Sequence, residues 1–171
     1  MTQYFVYGRD RAGEDVKARL TEEHWAFMDG YAAELIARGP TLTPDRDGPT
    51  GSVHIVDLPS AEAMQRFVYD DPYYLGGAFA SVEVYRFENL SGRTMWEFAA
   101  AVDSYERFLV LTKDAARPLS SEHLILYGDL YDGSRHVGRA GLVEATSAAA
   151  AAALLEADDA EVHPWEFGGR R

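Results

Sequence analysis

The sequence contains no cysteine, and this absence removes three kinds of chemistry. A chain without thiols forms no disulfides, binds no metal through thiolates and carries no cysteine nucleophile. The lack of cysteine fits a reducing compartment, and residues 1–5 show no basic segment followed by the apolar stretch of a secretion signal. We therefore expect a cytoplasmic protein.

Basic residues and long apolar runs are also scarce. The chain has 16 Lys and Arg against 28 Asp and Glu, which gives a formal net charge of −12. Affinity for nucleic acid comes mainly from clustered Lys and Arg, so we expect no nucleic-acid partner. No run approaches the roughly 20 apolar residues that span a bilayer, so we expect no membrane association.

The short motifs that bind metals and cofactors are missing. The five histidines show neither His-x-His nor His-Glu-x-x-His spacing. The chain also lacks a Gly-x-Gly-x-x-Gly fingerprint, a phosphate-binding Gly-Lys-Ser/Thr loop and a Gly-x-Ser-x-Gly elbow. We therefore expect no metal, no cofactor and no serine hydrolysis.

A repeated pentad is the most informative feature that is present. The pattern Leu-x-x-Glu-His occurs at residues 20–24 and again at residues 119–123, each time after an apolar run typical of a strand. The flanks repeat in the same order, because residues 5–10 resemble 109–114 and residues 56–61 resemble 143–148. Self-similarity over half a chain indicates a duplicated module.

The first half has the pattern of a ferredoxin-like unit. Apolar spacing and turn residues predict strands at 4–7, 41–43, 52–58 and 81–87 and helices at 21–38 and 60–69. Thr21 and Ser60 are the expected N-caps, and Gly39-Pro40 is the expected end of the first helix. The order β-α-β-β-α-β follows.

The second half predicts the same order in trimmed form. We expect strands at 108–112, 138–145 and 161–167 and helices at 120–130 and 147–157. The interval from Ser147 to Glu161 is shorter than that from Ser60 to Glu83, so the counterpart of residues 70–77 is missing. The predicted organisation is a repeat at 1–90, a connector at 91–104 and a degenerate repeat at 105–171.

The first half also resembles a known family. A short Phe5-Val6-Tyr7 strand, His24 in helix 1, a Gly-Pro-Thr-Gly-Ser turn at 48–52, and Asp70-Asp71-Pro72-Tyr73 before Gly76 stand in the order seen in the YCII-related family. This family is part of the dimeric α+β-barrel superfamily, and the resemblance covers about residues 3–88. It implies an α+β fold of two tandem ferredoxin-like repeats packed sheet to sheet as a barrel, with a cleft between sheet and helices.

The resemblance also implies partners and chemistry. The second repeat would take the place of the dimer partner, giving an intrachain pseudo-dimer, and a homodimer of such chains is left open. The family's proposed acid–base pair corresponds to His24 and Asp71. Its dehydrochlorinase and muconolactone-isomerase-like relatives imply small cyclic substrates. His123 matches His24, but no residue of the second half matches Asp71, so we interpret the second half as structural.

Each candidate residue has a competing structural explanation. A histidine can take up and return a proton without a cofactor, so His24 could shuttle a proton, but residues 24, 28, 31 and 35 also form one helical stripe, which would make it a core histidine. Asp71 could orient the imidazole, but Asp followed by Pro is also typical of a helix N-cap and N1 pair.

Four further residues are candidates for substrate binding. Tyr7, Tyr31 and Tyr73 could line a pocket for a ring, although most aromatic residues are core. Arg9 could hold an anionic oxygen, or it could pair with Asp10 or Glu14 at the surface. The favoured hypothesis is a cofactor-independent lyase or isomerase acting on a small cyclic or aromatic oxygenated metabolite. Alternatives are a cofactor-free monooxygenase and a non-catalytic small-molecule-binding or assembly module.

Overall fold

A computed structural model describes residues 1–13, 15–99, 101–114 and 118–169. The first half contains strands and helices in the order β-α-β-β-α-α-β. Their bounds are β1 Thr2–Asp10, α1 Val16–Asp29, β2 Leu35–Leu42, β3 Pro49–Leu58, α2 Ala61–Tyr69, α3 Pro72–Leu75 and β4 Phe79–Asn89.

The second half follows after a 3₁₀ turn at Met95–Glu97. Its elements are β5 Glu106–Thr112, β6 Leu124–Asp132, β7 Arg135–Ala145, α4 Ala148–Leu154 and β8 Ala160–Pro164. Within the described residues, the second half has no counterpart of α1 or of α3. No helix in the described part of the chain combines the length and the apolar character needed to cross a membrane.

All eight strands belong to one antiparallel sheet in the order β2-β3-β1-β4-β6-β7-β5-β8. The order of the first four strands recurs in the last four, so each half is the same ferredoxin-like sheet. β4 pairs with β6, which joins the two halves. The outer edges meet at a bridge between Thr41 and Trp165, which closes the sheet into a barrel. The predicted α+β barrel of two tandem repeats, the second trimmed, is confirmed.

The barrel has an apolar interior built by both halves. Alternate residues of each strand face inward, and the inward set includes Phe5, Ile55, Phe87, Leu109, Leu126 and Leu142. The other face of the first half packs against α1 and α2 through Val6, Val56 and Phe67. The corresponding face of the second half packs against α4 through Val110, Val143 and Leu155. The helices therefore cover the outside of the barrel.

The predicted bounds of the first helix are wrong. α1 begins at Val16 and ends at Asp29, and Thr21 lies inside it, where its hydroxyl donates to the Lys17 carbonyl at 2.7 Å. Residues 35–42 form β2 instead of continuing the helix. The apolar residues at the end of α1 and at the start of β2 together follow a helical spacing, so the sequence did not show where the helix ends. Pro40 is tolerated because β2 is an outer strand, where a missing N–H costs little.

The helix predicted at 120–130 is also wrong. Residues 124–132 form β6, and the second Leu-x-x-Glu-His lies in the loop and turn before it. The run Leu124-Ile125-Leu126-Tyr127 pairs with β7 and is buried on both faces, and such a run has no period that separates strand from helix. The pentad thus recurs in sequence but not in structure.

The remaining predicted elements are present with shifted ends. The other predicted strands all overlap observed strands, which are β1, β3, β4, β5, β7 and β8, although β8 ends at Pro164. Ser60 caps α2 as predicted, because its Oγ accepts a hydrogen bond from the Ala63 N–H at 3.1 Å. The alanine-rich segment forms the short helix α4, which ends at Leu154.

Candidate active site

His24 and Asp71 lie in direct contact beneath α1. The Nδ1 atom of His24 is 2.7 Å from Oδ1 of Asp71. Both residues are buried, with 6% of His24 and 4% of Asp71 exposed to solvent. An ionised carboxylate only accepts hydrogen bonds, which places the ring proton of neutral His24 on Nδ1. Nε2 is then left with its lone pair, available to accept a proton.

Asp71 also caps a helix. It precedes Pro72 at the start of α3, and the same Oδ1 accepts a hydrogen bond from the Tyr73 N–H at 3.0 Å. The two explanations for Asp71 are therefore compatible, since one carboxylate both begins α3 and contacts the imidazole. The cap fixes the position of the carboxylate that meets His24.

Two rings hold the face and the edge of the imidazole. The Tyr73 phenol ring stacks on His24 with a centroid separation of 3.9 Å and an interplanar angle of 5°. His54, on β3, meets His24 edge-on with centroids 5.7 Å apart. Burial lowers the pKa of His54 well below its usual value, and electrostatic interactions with His24, Lys17 and Arg38 act in the same direction. His54 is therefore a neutral neighbour.

His24 and Tyr73 line a pocket of about 480 Å³ between α1, β2 and β3. Its apolar walls include Trp25, Met28 and Pro40. Its polar lining includes Lys17, Thr21, Arg38, Ser52 and His54. A mostly apolar cleft with a few convergent polar groups is the usual form of a small-molecule site.

The second half supplies one wall of this pocket. Residues 167–169, which follow β8, line it beside β2. The Glu166 N–H donates to the Pro40 carbonyl at 3.2 Å, and the Gly168 N–H donates to the Arg38 carbonyl at 3.1 Å. A Cβ atom at Gly168 would lie 2.6 Å from the Cα of Gly39, so this approach requires glycine.

Lys17 places a partly buried ammonium group beside the pocket. Its Nζ is 2.7 Å from Oδ1 of Asp10 and 2.8 Å from Oγ of Ser52. It also lies over the ring of Tyr73, 5.5 Å from the centroid. Burial lowers the pKa of Lys17, and the Asp10 carboxylate partly opposes this shift.

The structure separates Tyr7 and Arg9 from His24. Both point into the barrel, because successive residues of β1 alternate between its two faces, whereas His24 packs on the outer face. Arg9 pairs with Glu83 at 2.8 Å and with Glu161, and its guanidinium lies over the Tyr7 ring. Neither residue lines the pocket, and their predicted substrate contacts at His24 are not supported.

Tyr31 is not in the pocket either. α1 ends at Asp29, so Tyr31 leaves the helical stripe and packs instead on Phe27 and Phe67 in the core between helices and sheet. The surface pair suggested for Arg9 is also different, since Asp10 binds Lys17. Glu14 lies outside the described residues.

His123 has a different setting from His24. Its Nδ1 is 2.9 Å from Oε1 of Glu144, and Oε2 of that buried carboxylate accepts the Val102 N–H at 3.1 Å. These bonds fasten the connector to β7. Strand register places Gly141 where the first half has His54, and Leu155 packs against Gly141. At this position the second half therefore has an apolar contact between β7 and Leu155 in place of a polar side chain.

Sequence reasoning missed Lys17, Ser52 and His54 as pocket residues. Ser52 and His54 lie on the same face of β3 as the apolar residues Val56 and Leu58. Polar residues on an otherwise apolar face of a strand were the feature of the sequence that could have indicated a pocket here. No three His, Asp or Glu side chains in the described ranges come together as candidate metal ligands.

Comparison with solved structures places this fold among known barrels. An anthrone oxidase-like protein aligns over 99% of this chain and 92% of its own, with a TM-score of 0.54 and 12% identity. This likeness supports the barrel architecture of the whole chain. The 5-chloro-2-hydroxyhydroquinone dehydrochlorinase of Burkholderia phenoliruptrix AC1100, solved with 2,5-dihydroxybenzoquinone, aligns over 53% of this chain and 98% of its own, at 28% identity and a TM-score of 0.49.

Sequence comparison gives a family for the first half. No curated protein matches the chain. The sequence pattern of the YCII-related domain matches residues 2–88, which include β1 to β4, His24 and Asp71. This match covers half of the chain and agrees with the order of the motifs around the pocket. The chain belongs to the YCII-related family.

Proposed function

We propose that this protein is a cofactor-independent lyase or isomerase that acts on a small cyclic or aromatic oxygenated molecule. The observation that carries the proposal is the 2.7 Å contact between His24 and Asp71 at the wall of a 480 Å³ pocket. A histidine that is held by a carboxylate at Nδ1 and lines a cleft has the arrangement of a general base.

His24 would begin the reaction by taking a proton. Its Nε2 lone pair accepts the proton of an acidic C–H or O–H group, and the bonding electrons stay on the substrate as an enolate. Asp71 stabilises the imidazolium that forms. The enolate electrons then expel a leaving group from the neighbouring carbon, as in a lyase, or take the proton back at another carbon, as in an isomerase. Atoms and charge balance in both outcomes without a further reactant.

The shape and lining of the pocket favour a single substituted ring. Trp25, Met28 and Phe167 offer apolar contact, and the Ser52 and Tyr73 hydroxyls are polar groups that could bind ring oxygens. Pockets of roughly 300–1,000 Å³ hold drug-sized ligands, so this one accommodates a small ring with its substituents. The neutral state of His54 leaves the adjoining wall uncharged.

We further propose that one chain holds a complete site. The family resemblance implies that two units form the barrel, and here residues 167–169 of the second half close the pocket of the first. The second half would therefore replace a dimer partner and serve as a structural element. A homodimer of such chains stays open, and so does the division at residues 91–104.

A panel of hydroxylated and chlorinated quinols in D₂O tests the reaction class. We expect substrate-dependent chloride release or deuterium incorporation at carbon, with no oxygen consumption. Oxygen consumption matched to turnover would instead show a cofactor-free monooxygenase. Tight binding of panel members without any exchange or turnover would show a non-catalytic binding module, and the proposal would fail.

A further inference from the structure

His54 brings a second imidazole to the pocket that His24 lines. It lies on β3, and its ring centroid is 5.7 Å from that of His24, with the two planes at 63°. Phe67 of α2 contacts His54 in a similar way, with centroids 5.7 Å apart and planes at 78°. These edge contacts fix the plane of the His54 ring. A ligand that lies against His24 can therefore also reach His54.

The fold gives no structural reason for a histidine at this position. A neutral imidazole has one N–H donor and one acceptor nitrogen. Within the part of the chain that the structure describes, neither ring nitrogen of His54 makes a hydrogen bond, although the residue is buried. An unpaired buried polar group is destabilising. The corresponding residue of the second half is Gly141, where Leu155 provides an apolar contact, so the sheet does not require a polar ring here.

The surroundings of His54 favour its neutral form. Burial lowers its pKa well below the usual value, and electrostatic interactions with His24, Lys17 and Arg38 act in the same direction. A neutral imidazole is a very weak acid, so it can donate a hydrogen bond to a carbonyl oxygen without giving up the proton. The two histidines of the pocket therefore suit different tasks. His24, held by Asp71, suits proton removal, whereas His54 suits hydrogen-bond donation.

We propose that His54 donates a hydrogen bond to a carbonyl oxygen of the substrate, so that the site takes cyclic ketones and enones with an acidic C–H next to the carbonyl. This inference rests on the proposed function for proton removal. His24 takes the proton from carbon, the C–H electrons form a C=C bond, and the carbonyl π electrons move onto oxygen. The His54 N–H keeps its proton and stabilises the charge that develops on that oxygen.

The test compares two rings of similar shape that differ in their carbonyl groups. 2,5-Dimethoxy-1,4-benzoquinone has ring carbonyls and no acidic proton for His24 to remove, and 1,4-dimethoxy-2,5-dimethylbenzene has methyl groups in place of the carbonyl oxygens. Dissociation constants are measured for the wild type, His54→Phe, His54→Gln and His136→Phe. Phenylalanine keeps an aromatic ring without nitrogen, and glutamine restores an N–H donor. His136 pairs with Asp129 on β6 and does not line the pocket, so it is the matched control.

We expect the wild type and His136→Phe to bind the quinone roughly three- to tenfold more tightly than the dimethyl ring, as one neutral hydrogen bond does. His54→Phe should weaken the quinone by that factor and change the dimethyl ring little, and His54→Gln should restore part of the preference. Infrared spectra of the bound quinone should show a carbonyl stretch at lower frequency in the wild type than in His54→Phe. On a substrate found in the panel, His54→Phe should lower kcat by roughly 10²- to 10³-fold.

Three results would overturn the inference: no preference for the quinone in the wild type, equal loss of both ligands in a folded His54→Phe protein, or an unchanged preference in that protein. If His54→Phe does not fold, the ring N–H resonance of His54 in the wild type decides. The quinone should shift it downfield and the dimethyl ring should not, and a resonance that the quinone leaves unchanged would overturn the inference.

The variant His24→Ala separates this inference from the proposed function. An intact preference for the quinone without turnover supports His54 and the proposed base together. An intact preference with unimpaired turnover supports His54 as the donor but removes the proposed function.

Discussion

The imidazole of His24 and the phenol ring of Tyr73 lie stacked, with their planes 5° apart. Tyr73 follows Asp71 by two residues, so one short segment, the start of α3, supplies both the carboxylate at Nδ1 and the ring on the imidazole face. α1 carries the histidine and α3 fixes its orientation. This relationship leads to separate expectations for the carboxylate and for the ring.

Replacing Asp71 with Ser separates the cap from the charge. Serine is a good N-cap, so α3 should persist and the free energy of unfolding should change little. The imidazolium loses its stabilising carboxylate, and kcat should fall by roughly 10²- to 10⁴-fold. Steady-state kinetics and chemical unfolding check both statements. Asp71→Ala is the companion variant, expected to lose the cap as well, at a cost of about 0.5–2 kcal/mol. Wild-type kcat in Asp71→Ser would leave Asp71 with a capping role alone.

Replacing Tyr73 tests the stacked ring. Tyr73→Phe keeps the ring but loses the hydroxyl, with its 3.5 Å contact to Thr21 and its proposed contact with a ring oxygen. It should keep its stability and most of its kcat, while KM rises. Tyr73→Leu removes the aromatic stack, which contributes roughly 0.5–1.5 kcal/mol beyond burial. We expect the leucine variant to unfold at lower denaturant concentration and to turn over more slowly. Equal behaviour of the two variants would show that the stack does not orient His24.

Substituting Gly168 tests whether the second half closes the pocket. A Cβ there would lie 2.6 Å from the backbone of Gly39, so Gly168→Ala should push residues 167–169 away from β2. We expect a higher KM with a smaller change in kcat, and a stability loss of about 1–3 kcal/mol. Gly48→Ala is the matched control, because a Cβ at Gly48 meets nothing within 4 Å. An unchanged KM in Gly168→Ala would show that residues 167–169 do not contribute to the site.

The stability of the protein should fall in mild acid because of His54. Its folded pKa lies well below 6.5, so the folded state keeps His54 neutral while the unfolded chain gains a proton as the pH drops below 6.5. The unfolded state then binds more protons, and the free energy of unfolding rises with pH across this window. His54 alone should contribute a loss of at most about 1.4 kcal/mol between roughly pH 8 and pH 5.5.

Denaturant unfolding at these two pH values, for the wild type, His54→Gln and His163→Gln, checks the expectation. The difference in the free energy of unfolding between the two pH values should be smaller in His54→Gln. It should be retained in His163→Gln, because the His163 side chain is one-quarter exposed and contacts Glu161 and Tyr7 on β8 and β1. The groups that act on His54 are His24, Lys17 and Arg38, and none of them is substituted in these variants. The same pH dependence in all three proteins would exclude His54 as its source.

The sequence predicted the architecture better than the boundaries. Internal repetition and the alternation in β1, β3 and β4 predicted two ferredoxin-like repeats, and the family resemblance implied that they pack as a barrel. The apolar spacing from Trp25 to Ile36 misplaced the end of α1, since a helix and the following strand can share one period. β6 was missed because a strand buried on both faces carries no alternation.

The candidate site was predictable only in part. The family resemblance brought His24 and Asp71 together, although they are 47 residues apart in sequence. Tyr7 and Arg9 lie on β1, just before the helix that carries His24, but their side chains face the barrel interior. The sequence could not show this, because it does not tell which face of β1 the helix α1 covers. Lys17 was missed because the predicted helix began after it. The contribution of residues 167–169 to the pocket could not be predicted, because it depends on the closure of the sheet between β2 and the end of β8.

The most direct test of the central claim is the turnover of His24→Ala with and without added imidazole, on a substrate found in the panel. We predict a folded protein whose kcat falls by roughly 10²- to 10⁴-fold, with part of the loss restored by imidazole entering the space that the side chain leaves. A folded His24→Ala protein with wild-type turnover would contradict the assignment of His24 as the general base.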